Sequence, residues 1–201
     1  MPSIRDTQAI EAALALFWRK GYGDTSMAEI VEVTGMNRYA LYSTFGNKRE
    51  IFLAALEVYF EEGRAFFEPM MRDPAVAPLD RIAQGLEASS VKMAADQQGC
   101  FICHVAAEHR SDDPKIAAAV TLYFEKIRAC MEIPLREAAE AGGLNPALTP
   151  ECAAQLVFDA KMSMGVHARA GAGDDVMRRI IAATLAALRV PVAAPVPATA
   201  T

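Results

Sequence analysis

The amino-acid sequence predicts an all-α protein of about nine helices, three of them, two short, within the first 47 residues. Three observations predict it. Apolar residues recur at helical spacing along nearly the whole chain, capping residues and glycines punctuate those segments, and no stretch shows β-type alternation or an internal repeat.

The elements follow in order. From Thr7 to Lys20, Ile10, Ala13, Leu14 and Phe17 fall at i, i+3, i+4 and i+7, one buried stripe that Gly21 and Gly23 bring to an end. Ser26 with Glu29 three residues on is a capping box for a second helix, which stops at the Thr34-Gly35 turn. Asn37 caps a third helix with Leu41 and Phe45 on one face, and Asn47 with Glu50 opens a fourth. That helix carries Ile51, Phe52, Leu56, Tyr59, Phe60 and Phe67 and is expected to stop near Pro69. Pro69 to Pro78, with Pro74 between, reads as a linker. A fifth helix is expected over Leu79–Gln97 through Ile82, Leu86 and Met93, and a sixth over Cys100–His109. Ser111 as cap and Pro114 in the first turn open a seventh, through Ile116, Val120, Phe124, Ile127 and Met131 to Gly142-Gly143, with Pro134 interrupting its hydrogen bonds. Thr149 and Pro150 start the eighth, which ends near Gly171, and Asp174 starts the ninth, through Val176, Ile180 and Leu188. The Pro- and Ala-rich stretch 191–201 has the composition of a disordered tail.

At 201 residues, 53% of them hydrophobic types and 22% charged, the chain can bury one large or two small cores. No apolar run approaches the roughly 18 residues of a membrane span, and the N-terminus lacks the basic and apolar regions of a signal peptide. A cytoplasmic protein away from membranes is expected, with its four cysteines as free thiols. A net charge of -5 argues against indiscriminate coating of nucleic acid. Residues 1 to 60 carry six Lys and Arg against seven Asp and Glu, so any nucleic-acid contact in that segment depends on where charges are placed.

Two short capped helices around Gly35 have the layout of a helix-turn-helix. With Leu41 and Phe45 anchoring the third helix, the side chains of its first turn, Asn37, Arg38 and Tyr39, point towards base edges in a major groove, and Arg38 is the best base reader among them. Thr25 with Ser26 at the start of the second helix, Tyr42 on the third and Lys48 at the start of the fourth supply hydroxyls, a cation and a helix N-terminus for backbone phosphates. Each feature alone is an ordinary cap or turn. In combination, residues 10 to 56 resemble the N-terminal domain of TetR-family transcriptional regulators, through Phe17, Gly21-Tyr22, Thr25-Ser26, Ile30, Thr34-Gly35, Leu41-Tyr42, Phe45 and Lys48.

That resemblance implies a homodimer of all-helical chains, a DNA-binding domain at residues 1–47, an effector-binding and dimerisation domain at 48–190, and repression through a palindromic double-stranded DNA operator. It implies phosphate contacts at Thr25, Tyr42 and Lys48 and base contacts at Asn37, Arg38 and Tyr39. Tyr39 stands where the family usually has a small residue, and the basic arm before the first helix is reduced to Arg5.

The C-terminal bundle should hold a small apolar effector, with Met93, Phe101, His104, Phe124, Met131, Phe158 and Met162 as candidate wall residues. Effector binding is expected to move the fourth helix, which joins the two domains. The stripe Ala153, Leu156, Val157, Ala160 and Met164, beside Gly165, with Ile180 and Leu188, is the expected dimer contact. Cys100-Phe101-Ile102-Cys103-His104 matches a short pattern of c-type haem attachment, which belongs to exported chains. Cys100, Cys103 and His104, with Glu108 or His109, converge from one helical turn as an incomplete metal site. Cys100 near a helix start is alternatively a thiol switch, while Cys130 and Cys152 read as core. His104, His109 and His167 with Glu108, Asp112 or Asp113 offer acid-base groups, but no nucleophile elbow, phosphate loop or His-Glu-x-x-His accompanies them. No catalytic activity, cofactor or bound metal is therefore expected. The competing classes are a thiol- or metal-responsive regulator using Cys100 and Cys103, and a helical small-molecule-binding protein that does not bind DNA.

Overall fold

Local side-chain chemistry sets where each helix starts and stops. A computed structural model describes residues 4–96, 99–108 and 113–190, which form nine α-helices and no β-strand. α1 (Ile4–Lys20), α2 (Met27–Thr34) and α3 (Arg38–Phe45) come first, then the long α4 (Lys48–Met71). α5 (Pro78–Asp96), α6 (Phe101–Glu108), α7 (Pro114–Glu140), α8 (Pro150–Arg169) and α9 (Asp174–Leu188) complete the bundle. Asn37 Oδ1 accepts the Ala40 N–H at 2.8 Å, Asn47 Oδ1 accepts those of Arg49 and Glu50 at 3.0 and 3.2 Å, and Thr149 Oγ1 accepts that of Cys152 at 3.2 Å. Each satisfies an amide that the helix itself leaves unpaired.

Two boundaries depart from expectation. α4 runs past Pro69 to Met71, because a proline in the final turn removes one hydrogen bond without breaking the turns before it. The carbonyls beyond it are taken up by Arg81, a buried guanidinium that donates to Met71 O at 3.3 Å and Val76 O at 2.8 Å while pairing with Glu137 of α7 at 2.8 Å. α7 is capped by Asp113, whose Oδ1 accepts the amides of Lys115 and Ile116 at 3.0 and 3.4 Å. Ser111, the expected cap, lies outside the described residues, as do Gln97 and His109 at the expected ends of the fifth and sixth helices and the tail 191–201.

The core joins α1, α4 and α6 through aromatic rings. Phe17 meets Phe52 edge-on at 5.0 Å, Phe52 lies 6.0 Å from Phe101, and Trp18 and Tyr59 pack against each other at 5.3 Å. Phe17, Phe52 and Phe101 are fully buried, so the N-terminal helices are seated on the bundle rather than tethered to it.

The stripe expected to form the dimer contact has another role. Ala153, Val157, Ala160 and Met164 of α8 and Leu188 of α9 are buried inside the protomer, and Leu156 and Ile180 are half-buried. Small residues let α8 approach α7, α5 and α9 of its own chain, so the buried members of the stripe are taken up within the protomer while Leu156 and Ile180 keep part of their surface. Leu156, Ser163 and Val166 on α8 and Ile180, Ala183 and Ala187 on α9 lie on the outward side instead, with Val166 60% exposed.

Phe52→Ala is expected to cost about 3–5 kcal/mol and to lower the melting temperature by on the order of 10 °C, because the cavity opens between three aromatic rings. Thermal denaturation followed by circular dichroism checks it; an unchanged midpoint would show that the Phe17–Phe52–Phe101 contact carries no stability.

Candidate nucleic-acid interface

The α2–α3 unit is built from short-range bonds. Ser26 and Glu29 form the reciprocal capping box, with Glu29 Oε2 accepting the Ser26 N–H at 2.9 Å and Ser26 Oγ accepting the Glu29 N–H at 3.3 Å. Lys20 at the end of α1 donates to Glu29 Oε1 at 2.5 Å, tying α1 to α2. These bonds hold the Glu29 carboxyl well below its usual range, at about 2, with Lys20 the largest cause. Gly35 closes α2 in the left-handed conformation at φ 61°, turning the chain into α3.

Ile30 and Leu41 are completely buried, which fixes the roll of α2 and α3 against the core. The opposite side of α3 is then open. Arg38, Tyr39, Tyr42 and Ser43 lie along it, Tyr39 84% and Tyr42 40% exposed, and the Arg38 guanidinium stands 5.8 Å from the Tyr42 ring centroid. A cation and two phenols on an exposed helix face are hydrogen-bond donors of the kind that base edges and phosphates accept. Ser43, one helical turn after Tyr39, belongs to this face and has no local motif to announce it.

The four other expected contact residues have structural partners. Thr25 is buried and its hydroxyl donates to Gly21 O at 2.6 Å, so it braces the α1–α2 turn and is not an outward donor, a correction to the expected phosphate contact. Asn37 is exposed but its Oδ1 is the cap of α3, and Ser26 is likewise a cap. Lys48 is half-buried: its ammonium donates to Gly23 O at 3.3 Å and lies 4.5 Å from the Tyr22 ring centroid, and burial lowers its pKa.

One residue of the bundle reaches into this unit. Glu108, the last residue of α6, accepts the Tyr22 N–H on Oε2 at 3.0 Å and the Gly23 N–H on Oε1 at 2.6 Å. Gly21 beside them adopts φ 89°, a backbone conformation that favours glycine, and a Cβ there would lie 2.8 Å from Glu108 Oε2, so the carboxylate would have to shift off these amides. The bond spans 86 residues of sequence, and nothing local predicts it.

The bundle cavity differs from the expected one. A cavity of about 50 Å³ is walled by Trp18, Tyr59, Phe67, Tyr123 and Lys161, and of the expected wall residues only Met93 lines it. Phe101, Met131 and Phe158 are solid core, Phe124 packs on Phe158 at 5.1 Å, and His104 and Met162 are half-buried at other contacts. A groove of about 480 Å³ lies between α4 and α7, lined by apolar Phe60, Leu122, Cys130 and Ile133 and by charged Glu57, Glu61, Arg64, Glu68, Arg72 and Lys126, and shares Phe67, Tyr123 and Ile127 with the inner cavity. Cys100 is buried, Cys103 and Cys130 are half-buried, Cys152 is exposed rather than core, and all four are free thiols. Among the described residues no three His, Cys, Asp or Glu side chains converge to hold a metal ion, and no helix is long and apolar enough to cross a membrane. Of the acid-base groups, Glu108 and Asp113 are engaged by backbone amides, His104 lies 3.6 Å from Glu108, and His167 is exposed; His109 and Asp112 lie outside the described residues.

Residues 9–55 match the family described as bacterial regulatory proteins, tetR family. The chain is 38% identical over 71 residues to the HTH-type transcriptional repressor ComR of Escherichia coli (strain K12), covering 35% of this chain and 34% of that one. The chain spans less than two thirds of the length of the curated relatives it matches. In structure it is similar to the regulatory protein TetR from Rhodobacter sphaeroides, with a TM-score of 0.85 at 21% identity over 92% of this chain and 100% of that one. It is also similar to the TetR-family transcriptional regulator CifR solved with 26-bp double-strand operator DNA, with a TM-score of 0.81 at 19% identity over 93% of this chain and 99% of that one. These likenesses carry the all-helical fold across both parts of the chain.

The capping box generates a pH dependence. A carboxyl held below its unfolded value stabilises the fold above about pH 4.5 and loses that contribution as pH falls towards 2. Glu29→Gln should therefore melt below the wild type at pH 7, with the gap closing between about pH 4.5 and 2; a gap independent of pH would show that the Glu29 charge is not what holds α1 to α2.

Proposed function

We propose that this chain, whose residues 9–55 carry the DNA-binding segment of the tetR family of bacterial regulatory proteins, is a transcriptional repressor that binds a palindromic operator as a homodimer. The observation that carries the reading is the outward face of α3, where Arg38, Tyr39 and Tyr42 stand on a helix whose other side is locked by Leu41. Residues 1–47 form the DNA-reading domain and 48–190 the effector and dimerisation domain. Arg38 reads base edges in the major groove, Tyr39 and Tyr42 flank it, and Ser43 extends the same face. Lys48, at the N-terminus of α4, faces a phosphate with its charge held in place by Gly23 O and the Tyr22 ring. The neighbouring CifR solved on operator DNA supports the same use of this domain.

The two-fold contact falls on the outward sides of α8 and α9, with Leu156, Val166, Ile180 and Ala183 at its centre, since the small-residue stripe is already occupied within the protomer. A small apolar effector fits the groove between α4 and α7, whose volume of about 480 Å³ is that of an ordinary ligand site. Because α4 begins at the DNA-reading domain and ends in the bundle, an effector that favours one tilt of α4 favours one spacing of the two α3 helices.

Binding to the DNA upstream of the protein's own gene, measured by mobility shift or anisotropy at several salt concentrations, tests this reading. Arg38→Ala should lose about 1–3 kcal/mol of discrimination between operator and scrambled DNA. Lys48→Ala should weaken binding to all sequences alike and reduce the slope of affinity against salt by about one. Wild-type affinity and selectivity in both variants would remove α3 and the start of α4 as the interface.

A further inference from the structure

Around the start of α6 the chain assembles a sulfur site that repression alone does not require. Cys100 immediately precedes α6, its carbonyl accepting the His104 N–H at 3.2 Å, and the neighbouring Cys103 favours its thiolate. The Tyr59 hydroxyl lies 3.3 Å from the same sulfur. Lys161 of α8 is buried, only 7% exposed, and its ammonium is close enough to favour the Cys100 thiolate. Cys103 sits one turn into the helix, with Met162 O and Sδ 3.6 and 3.4 Å from its sulfur. Gly165 makes room for the pair: a Cβ there would stand 2.5 Å from Cys100 Cβ and 3.2 Å from Cys103 Sγ.

Charge and access are matched. The Cys103 thiol and amide, the Lys161 ammonium and the Tyr59 hydroxyl together pull the Cys100 thiol below its ordinary pKa against the opposing effect of burial. The leading contribution is the Cys103 thiol, whose own proton is held correspondingly tightly. Tyr59, whose hydroxyl meets the Cys100 sulfur, Gly99, the residue before it in the chain, and Lys161 line the cavity of about 50 Å³ together with the exposed Phe66 and Lys92, so Tyr59 and Gly99 stand between that space and the buried thiol. A space of that size holds a few water-sized groups and not a bulky ligand.

We propose that Cys100 and Cys103 form a dithiol site oxidised by a small hydroperoxide admitted through this cavity. The Cys100 thiolate attacks one peroxide oxygen: an S–O bond forms, the O–O bond breaks, the sulfur loses two electrons, and the leaving alkoxide or hydroxide takes a proton from solvent. The Cys103 sulfur then attacks the sulfenic sulfur, an S–S bond forms, the S–O bond breaks, and the hydroxide leaves as water with the Cys103 proton. The net change converts two thiols and one hydroperoxide into a disulfide, an alcohol or water, and water. Residues three apart at a helix start have Cα atoms about 5 Å apart, inside the range of about 4.4–6.8 Å that a disulfide spans.

The site has a route to the DNA-reading domain. α6 is only eight residues long, with the dithiol at one end and Glu108, bonded to the Tyr22 and Gly23 amides, at the other. Drawing the two sulfurs into a covalent bond repacks the start of α6 against Gly165, which shifts Glu108 off the α1–α2 turn. This consequence rests on the repressor reading above; the thiol chemistry does not.

The test uses the full-length reduced protein treated with hydrogen peroxide, followed by alkylation of remaining thiols, proteolysis and mass spectrometry, in parallel with operator binding. A Cys100–Cys103 disulfide should form before Cys130 or Cys152 is oxidised, operator affinity should fall about tenfold, and reductant should restore it. Cys100→Ser and Cys103→Ser should each abolish the response while Cys152→Ser keeps it. Oxidation of Cys152 or Cys130 first, or a Cys100 that stays alkylatable, overturns the site. A disulfide with unchanged operator affinity overturns the link through Glu108. Reduced protein that binds no operator overturns the repressor reading, while the mass spectrum still judges the dithiol by itself.

Discussion

The pair of hydrogen bonds from the Tyr22 and Gly23 amides to the Glu108 carboxylate is the constraint on which the arrangement of the two halves depends. The α1–α2 turn has to present two adjacent N–H groups in one direction, which Gly21 makes possible at φ 89°, and the chain answers them with a charged acceptor from a helix far along the sequence. Charge-assisted bonds of this kind contribute about 1.5–3 kcal/mol each when sheltered and less where solvent reaches them, as it does here. Their importance lies in direction: a bidentate acceptor fixes the turn in orientation as well as distance.

The rest of the coupling is apolar. Phe17, Phe52 and Phe101 bring α1, α4 and α6 together at one point, so a displacement of α6 cannot be absorbed by a soft interface. Around that point, ion pairs from Arg49 to Asp113 at 3.7 Å and from Lys115 to Glu50 at 3.3 Å join the start of α4 to the start of α7. They are partly exposed and individually weak. The exposed face of α3 is thus held by Ile30, Leu41 and three side-chain caps, and is mounted on elements that begin and end inside the bundle.

What was legible in the sequence was local. Ser26, Asn37, Asn47 and Thr149 each bond an amide within three residues, so the motif contains its own partner and the helix starts could be read directly. Arg38, Tyr39 and Tyr42 were legible as an outward face because Leu41 and Phe45 set the helical phase. Glu108 was not, since its partners lie 85 and 86 residues away and a glutamate ending a short helix looks like any solvated charge. The α8 stripe misled for a different reason: small residues at helical spacing announce a close neighbour without saying whether it is α7 of the same chain or α8 of another. Thr25 misled similarly, because a threonine before a helix suggests an open hydroxyl, and only the fold shows that hydroxyl turned back to Gly21 O. The inner cavity escaped because its walls come from α1, α4, α5, α7 and α8, where aromatic residues at core spacing line a void as readily as they fill one.

Amide hydrogen exchange at Tyr22 and Gly23 tests the central claim most directly. The account predicts that both amides are protected in the wild type and exchange faster in Glu108→Ala, while Ile30 and Leu41 keep their protection in both proteins. Equal exchange at Tyr22 and Gly23 in the two proteins would show that α6 does not hold the turn and would contradict the account.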